Sequence, residues 1–96
     1  METMADAIER LRAAGYRVDL VAAPGGRLRC TECNEITAAA NSTVEDTVRF
    51  EGDSNPDDEV ILIAILARCG HRGLYSAAYG TDAPAEDAQV LQALAS

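Results

Sequence analysis

Near the N-terminus, apolar residues recur at helical spacing. Met4, Ala7, Ile8, Leu11 and Ala14 fall on one side of a helix, with charged residues between them. Thr3 stands where an N-cap belongs and Asp6 stands three residues on, in the capping-box position. Gly15 is a natural stop. The period then changes to two. Tyr16, Val18, Leu20 and Ala22 alternate with Arg17, Asp19 and Val21, which predicts a strand with one apolar face. Pro24-Gly25-Gly26 predicts a turn. Leu28 and Cys30 alternate with Arg27 and Arg29 in a second, short strand.

Ile36 to Ala40 is a candidate for a short returning strand, and Asn41-Ser42-Thr43 reads as a bend. Val44, Asp46, Val48 and Phe50 alternate with Glu45, Thr47, Arg49 and Glu51, giving a strand centred on Val48 to Glu51. Gly52 to Asp58 concentrates Gly, Pro, Asn and Asp and reads as a loop. Val60 to Ala67 is apolar on both faces and rich in β-branched residues. Its short length and turn-like flanks favour a central buried strand over a helix. Gly70 and Gly73 bracket a tight turn, and Leu74 to Tyr79 reads as a strand hairpinned to the previous one. A final helix starts near Asp82 to Pro84, with Ala88, Val90, Leu91 and Leu94 on its apolar side. The expectation is a single α+β domain over 1–96. It has an N-terminal helix, a mostly antiparallel sheet of four to five strands, and a C-terminal helix.

Composition changes this picture in one respect. A chain of 96 residues forms a real core but a marginal one. Its aromatics are only Phe50, Tyr16, Tyr75 and Tyr79, and much of its apolar content is alanine. A metal staple would add needed stability. The net charge of −8 disfavours binding to nucleic acid or an anionic membrane surface. Arg10, Arg12, Arg17, Arg27 and Arg29 gather in the first third and read as a solvated, balanced face rather than an anion site. Val60 to Ala67 is too short to span a bilayer. METMADAIERL lacks a basic region followed by an apolar run, so the expected location is cytoplasmic and reducing.

The candidate chemistry lies in Cys30, Cys33, Cys69 and His71, the only cysteines and the only histidine in the chain. They form a C-x-x-C and a C-x-H pair separated by a domain-sized spacer, a pattern that points to one tetrahedral zinc ion. The first pair would leave its strand in a zinc-ribbon-like knuckle. The second pair would share one face of an extended backbone, with Gly70 leaving room. The C-x-H spacing is shorter than usual, which leaves open a fourth ligand such as water or Glu32. Cys69 as a small buried residue, His71 as an exposed turn residue, and a redox role for Cys30 and Cys33 are the competing readings. The redox reading is the weakest, because no helix signal follows the C-x-x-C. A closed four-ligand site argues for a non-enzymatic module that works through protein contacts, with a partner or a second copy.

A second candidate site is the acidic stretch 49–59. Arg49, Glu51, Asp53, Asp57 and Asp58 could serve a small enzyme or ligand-binding domain there. A calcium loop does not fit, since Asp58 occupies its glycine position and Ala64 its glutamate position. The simpler reading is a solvated loop. No Ser-His-Asp set and no phosphate-cradling glycine loop is present.

The segments LRAAGYRVDL, CTEC, VRFEGDSNPDDEVILIAI and HRGLYSAAYG resemble a group of small bacterial proteins of similar length, a match that covers residues 8 to 80 or so. That group shows an Arg-Phe-Glu-Gly strand, a Ser-Asn-Pro-Asp-Asp loop and a Gly-Tyr-Gly-like strand. Its members often carry the label phosphoribosylpyrophosphate synthetase, an enzyme with two α/β domains and a ribose-phosphate loop that this chain lacks. The resemblance therefore implies a fold grouping and no activity. The C-G-H pair, and Ser76-Ala77-Ala78 without an acidic residue before Tyr79, depart from the group and favour a metal-stapled variant.

Overall fold

The computed structural model describes residues 2–50, 60–78 and 84–95. In chain order the elements are α1 (Met4–Ala13), β1 (Val18–Ala23), β2 (Arg27–Cys30), β3 (Ile36–Ala38), β4 (Thr43–Phe50), β5 (Val60–Leu66), β6 (Arg72–Ala78) and α2 (Ala85–Ala95). A one-turn 3-10 helix, Ala39–Asn41, follows β3. The α+β architecture with a helix at each end is as expected, but the strands number six because the short Ile36 segment does pair. It ends at Ala38, where the chain turns into the 3-10 helix.

The order across the sheet is β3-β2-β1-β6-β5-β4. It consists of two antiparallel meanders, β1-β2-β3 and β4-β5-β6, placed side by side. They meet at the one parallel seam, where only Val18↔Gly73 and Asp19↔Leu74 are in register. An N–H bond from Arg17 to the Arg72 carbonyl, at 3.0 Å, precedes those pairs. By contrast β5 and β6 stay paired along their full length, from Val60↔Ala78 to Leu66↔Arg72.

Gly73 is what allows the seam to close. A Cβ there would lie 2.7 Å from Val18 Cγ2, 2.8 Å from the Val18 carbonyl oxygen and 2.9 Å from Leu20 Cγ. The glycine is needed for close backbone approach. Nothing in its own hairpin reveals this, since the constraint comes from a strand far away in the chain.

Alternate residues of β5 feed two cores, as its all-apolar composition predicts. Ile61, Ile63 and Ile65 join Leu20, Leu28, Cys30, Tyr75 and Val90 of α2 on one face. Leu62 and Ala64 join Leu74, Ala7 and Leu11 of α1 on the other. The helices therefore lie on opposite faces of the sheet. α1 starts at the Thr3/Asp6 capping box and ends before Gly15, whose φ is +114°. α2 is tied to the sheet by the Tyr75 hydroxyl, which donates to Asp87 Oδ1 at 2.5 Å. Burial, followed by the hydrogen bond and charge of Asp87, pushes the Tyr75 phenol far above its ordinary range. In β4 the register slips between Val44 and Asp46, leaving Glu45 as an extra residue in a bulge. Glu45 accepts there from the Tyr16 hydroxyl and from Arg72 Nε, each at 3.1 Å. Among the described residues, no helix is long and apolar enough to cross a membrane.

Candidate metal centre

β2 ends at Cys30, and the turn after it brings Cys33 back alongside. The Asn34 N–H closes this turn on the Cys30 carbonyl at 2.7 Å, and the Cys30 N–H donates to the Glu35 carbonyl at 3.0 Å. Asn34 itself takes φ of +60°, a left-handed conformation that asparagine tolerates better than most residues. Thr31 fastens the knuckle to the seam: both its N–H, at 3.1 Å, and its hydroxyl, at 2.8 Å, donate to the Asp19 carbonyl.

The β5–β6 turn supplies the other pair. Ala67 N–H donates to the His71 carbonyl, and Gly70 N–H donates to the Ala67 carbonyl, each at 2.9 Å. Gly70 has φ of +93°, a conformation that suits glycine. Cys69 and His71 flank it and turn toward the knuckle.

The structure brings all four expected residues together. One ligand atom from each of Cys30, Cys33, Cys69 and His71 lies within 4.8 Å of the other three. His71 Nδ1 is 3.6 Å from Cys30 Sγ and 3.4 Å from Cys69 Sγ. Zinc bonded at about 2.3 Å to sulfur and about 2.0 Å to imidazole has tetrahedral S···N edges of about 3.5 Å. Two of the three sulfur–imidazole edges, those from Cys30 and Cys69, already have that length, and the set is close enough to hold a metal ion. Both short edges run to Nδ1, a preference the sequence does not reveal.

Burial is graded around the cluster. Cys30 is 2% exposed, Cys69 and His71 are half-buried, and Cys33 faces solvent. Burial alone would raise the Cys30 thiol. Hydrogen bonds from the Cys33 and Glu32 backbone N–H groups, and from the Cys33 and Cys69 thiols, outweigh it and hold Cys30 below the ordinary thiol range. Cys69 moves the other way, through burial first and then its contacts with the Cys33 and Cys30 sulfurs. The knuckle thus points two peptide dipoles at one sulfur, an arrangement that stabilises thiolate.

Of the second candidate site, Glu51, Asp53, Asp57 and Asp58 lie outside the described residues. Arg49 is described. With Val44, Thr47, Ile61, Ile63, Leu91 and Leu94 it lines a largely apolar cavity of about 230 Å3 between β4, β5 and α2. Sequence reasoning placed Gly73 at the turn, where the structure has it inside β6 at the seam, and passed over Thr31 and Asn34. Asn34 alone carried a local signal, as a turn-prone residue just after the C-x-x-C.

Fold and site together define a small α+β domain with a Cys3His cluster able to bind a metal ion. Compared with family models, curated proteins and solved structures, the chain matches none.

Proposed function

We propose that the cluster binds one structural Zn2+ and that the protein is a non-enzymatic module working through protein contacts. The observation that carries this is where the ligands come from. Cys30 and Cys33 belong to the β1-β2-β3 meander, and Cys69 and His71 belong to the β4-β5-β6 meander. A single ion would bridge the two halves beside their two-pair seam. Three thiolates and one imidazole Nδ1 fill a tetrahedron, leave no position for substrate, and suit zinc among divalent metals. Folding free energy would then include metal-binding free energy.

Elemental analysis of protein purified without chelator, run beside a free-thiol count, tests this. The expected result is about one zinc per chain, with the thiols reactive only after chelation or denaturation. Metal-free protein with three reactive thiols and unchanged stability would overturn it. The largely apolar cavity between β4, β5 and α2 supports a second reading, a site for a small apolar molecule, which a thermal-shift screen of short aliphatic compounds would detect.

A further inference from the structure

α1 covers the β4-β5-β6 half of its face of the sheet, so the same face of β1-β2-β3 has no helix over it. Two cross-strand rows stand on that open face. One is Val21–Arg29–Ile36; the other is Ala23–Arg27–Ala38, in which Ala23 is buried and Arg27 is the exposed member, each in register through the β1–β2 and β2–β3 pairings. Each row is therefore an arginine flanked by apolar side chains. Val21 and Ile36 are 36% and 48% exposed, two of the three large apolar side chains that the described residues leave this open.

The arginines are oriented but not neutralised. Arg27 Nε donates to the Pro24 carbonyl at 2.8 Å, and Arg29 Nη1 donates to Asn34 Oδ1 at 3.2 Å. Neither meets a carboxylate among the described residues, whereas Arg10, Arg12 and Arg72 each do. Asp19, a carboxylate that β1 places on this face, is held by Arg12 Nη2 at 2.6 Å. A guanidinium has five donors, so most of each fork is unspent. Two such forks, two residues apart on one strand, lie roughly 7 Å apart. A chain carrying −8 overall has thus kept a positive, partly apolar patch on a sheet surface that neither helix covers.

We propose that the open face of β1-β2-β3 is a docking surface for an acidic polypeptide segment that interleaves Asp or Glu with Val, Ile or Leu. Charge complementarity selects the acidic residues, with Arg27 and Arg29 as bidentate receivers. Val21 and Ile36 select the apolar ones. A nucleic acid fits less well: it offers no aliphatic groups to the flanks, the face has no aromatic to stack a base, and a polyanion meets the full net charge. This surface would serve the protein contacts proposed above, but it is independent of the metal. Metal content tests that reading and leaves this one standing.

The test is selection from a random peptide display library on the full chain, followed by synthesis of an enriched peptide. Its affinity is then measured for wild type, R27E/R29E and Ile36→Ser. The expected result is enrichment of acidic–aliphatic peptides, with affinity falling about tenfold or more in R27E/R29E and severalfold in Ile36→Ser. Arg27→Glu alone, whose side chain is exposed and away from the Asn34 turn of the metal cluster, should weaken binding severalfold with melting temperature and metal content unchanged. No enrichment, enriched peptides without Asp or Glu, or binding indifferent to R27E/R29E would each overturn the proposal. So would sedimentation showing a dimer that R27E/R29E dissolves, which would give the face to a second copy. Tighter capture of a single-stranded oligonucleotide than of any acidic peptide would also overturn it.

Discussion

The two meanders share one sheet but are held by different means. In β4-β5-β6 the strands are seven or eight residues long, and helices from both ends of the chain serve its two faces. In β1-β2-β3 they shorten from six to four to three residues, and the side chains that join a helix-backed core cluster, Leu20, Leu28 and Cys30, are all on the α2 face. The first half is stabilised by burying apolar area on two sides, the usual route for a β-sheet in a mixed fold. The second half has one such side and a two-pair seam to its neighbour. It also carries the C-x-x-C. The weaker half supplies the ligands that a metal would use to fasten it to the stronger one.

The largest expected effect comes from removing that fastening. Cys30→Ser, or chelation of the wild type, should cost several kcal/mol, below the roughly 10–16 kcal/mol of zinc-finger peptides that have no other core. Hydrogen exchange should show β1-β2-β3 losing protection first while β5 and β6 keep theirs. Uniform loss across the sheet would mean the two halves do not differ as described. Next comes the seam itself. Gly73→Ala drives a methyl into Val18, and the expected cost is about 1–3 kcal/mol in urea unfolding. Val18→Ala should restore only part of this, because the Val18 carbonyl oxygen remains 2.8 Å from the new Cβ.

Tyr75→Phe removes the hydrogen bond that ties α2 to the sheet and should cost about 1–3 kcal/mol, since its acceptor is a carboxylate. Its effect should reach both halves, because the core beneath α2 spans them. The smallest change is Thr3→Ala, which deletes the N-cap of α1 for about 1 kcal/mol. The exchange difference should stay within α1 and the strands beneath it.

The local elements were legible because each declares itself within a few residues. Thr3 with Asp6, the alternation around Leu20, and the two-faced run at Ile61 to Ile65 all have the element their pattern implies. The metal cluster was legible for a different reason. Its residues exhaust the cysteine and histidine of the chain, so few other groupings were possible. What escaped depends on pairing between distant segments. No pattern at Val18 or Gly73 announces a parallel seam, and no spacing rule decides between the two imidazole nitrogens of His71. The arginines in the first third read as a solvated face. Only the register of three strands shows that Arg27 and Arg29 stand between apolar neighbours, apart from the carboxylates.

The bulge at Glu45 bears on how the molecule behaves in a crowded solution. β4 is an outer strand of eight residues, long enough to recruit a strand from another molecule. The extra residue breaks its run of outward hydrogen-bonding groups. It also turns the segment from Thr43 to Val44 by one face relative to Asp46. Deleting Glu45 would regularise the strand while leaving Val44 opposite Ile65, on the face it already occupies. The outer strand would then present an unbroken run of hydrogen-bonding groups, the template on which strands of other molecules add.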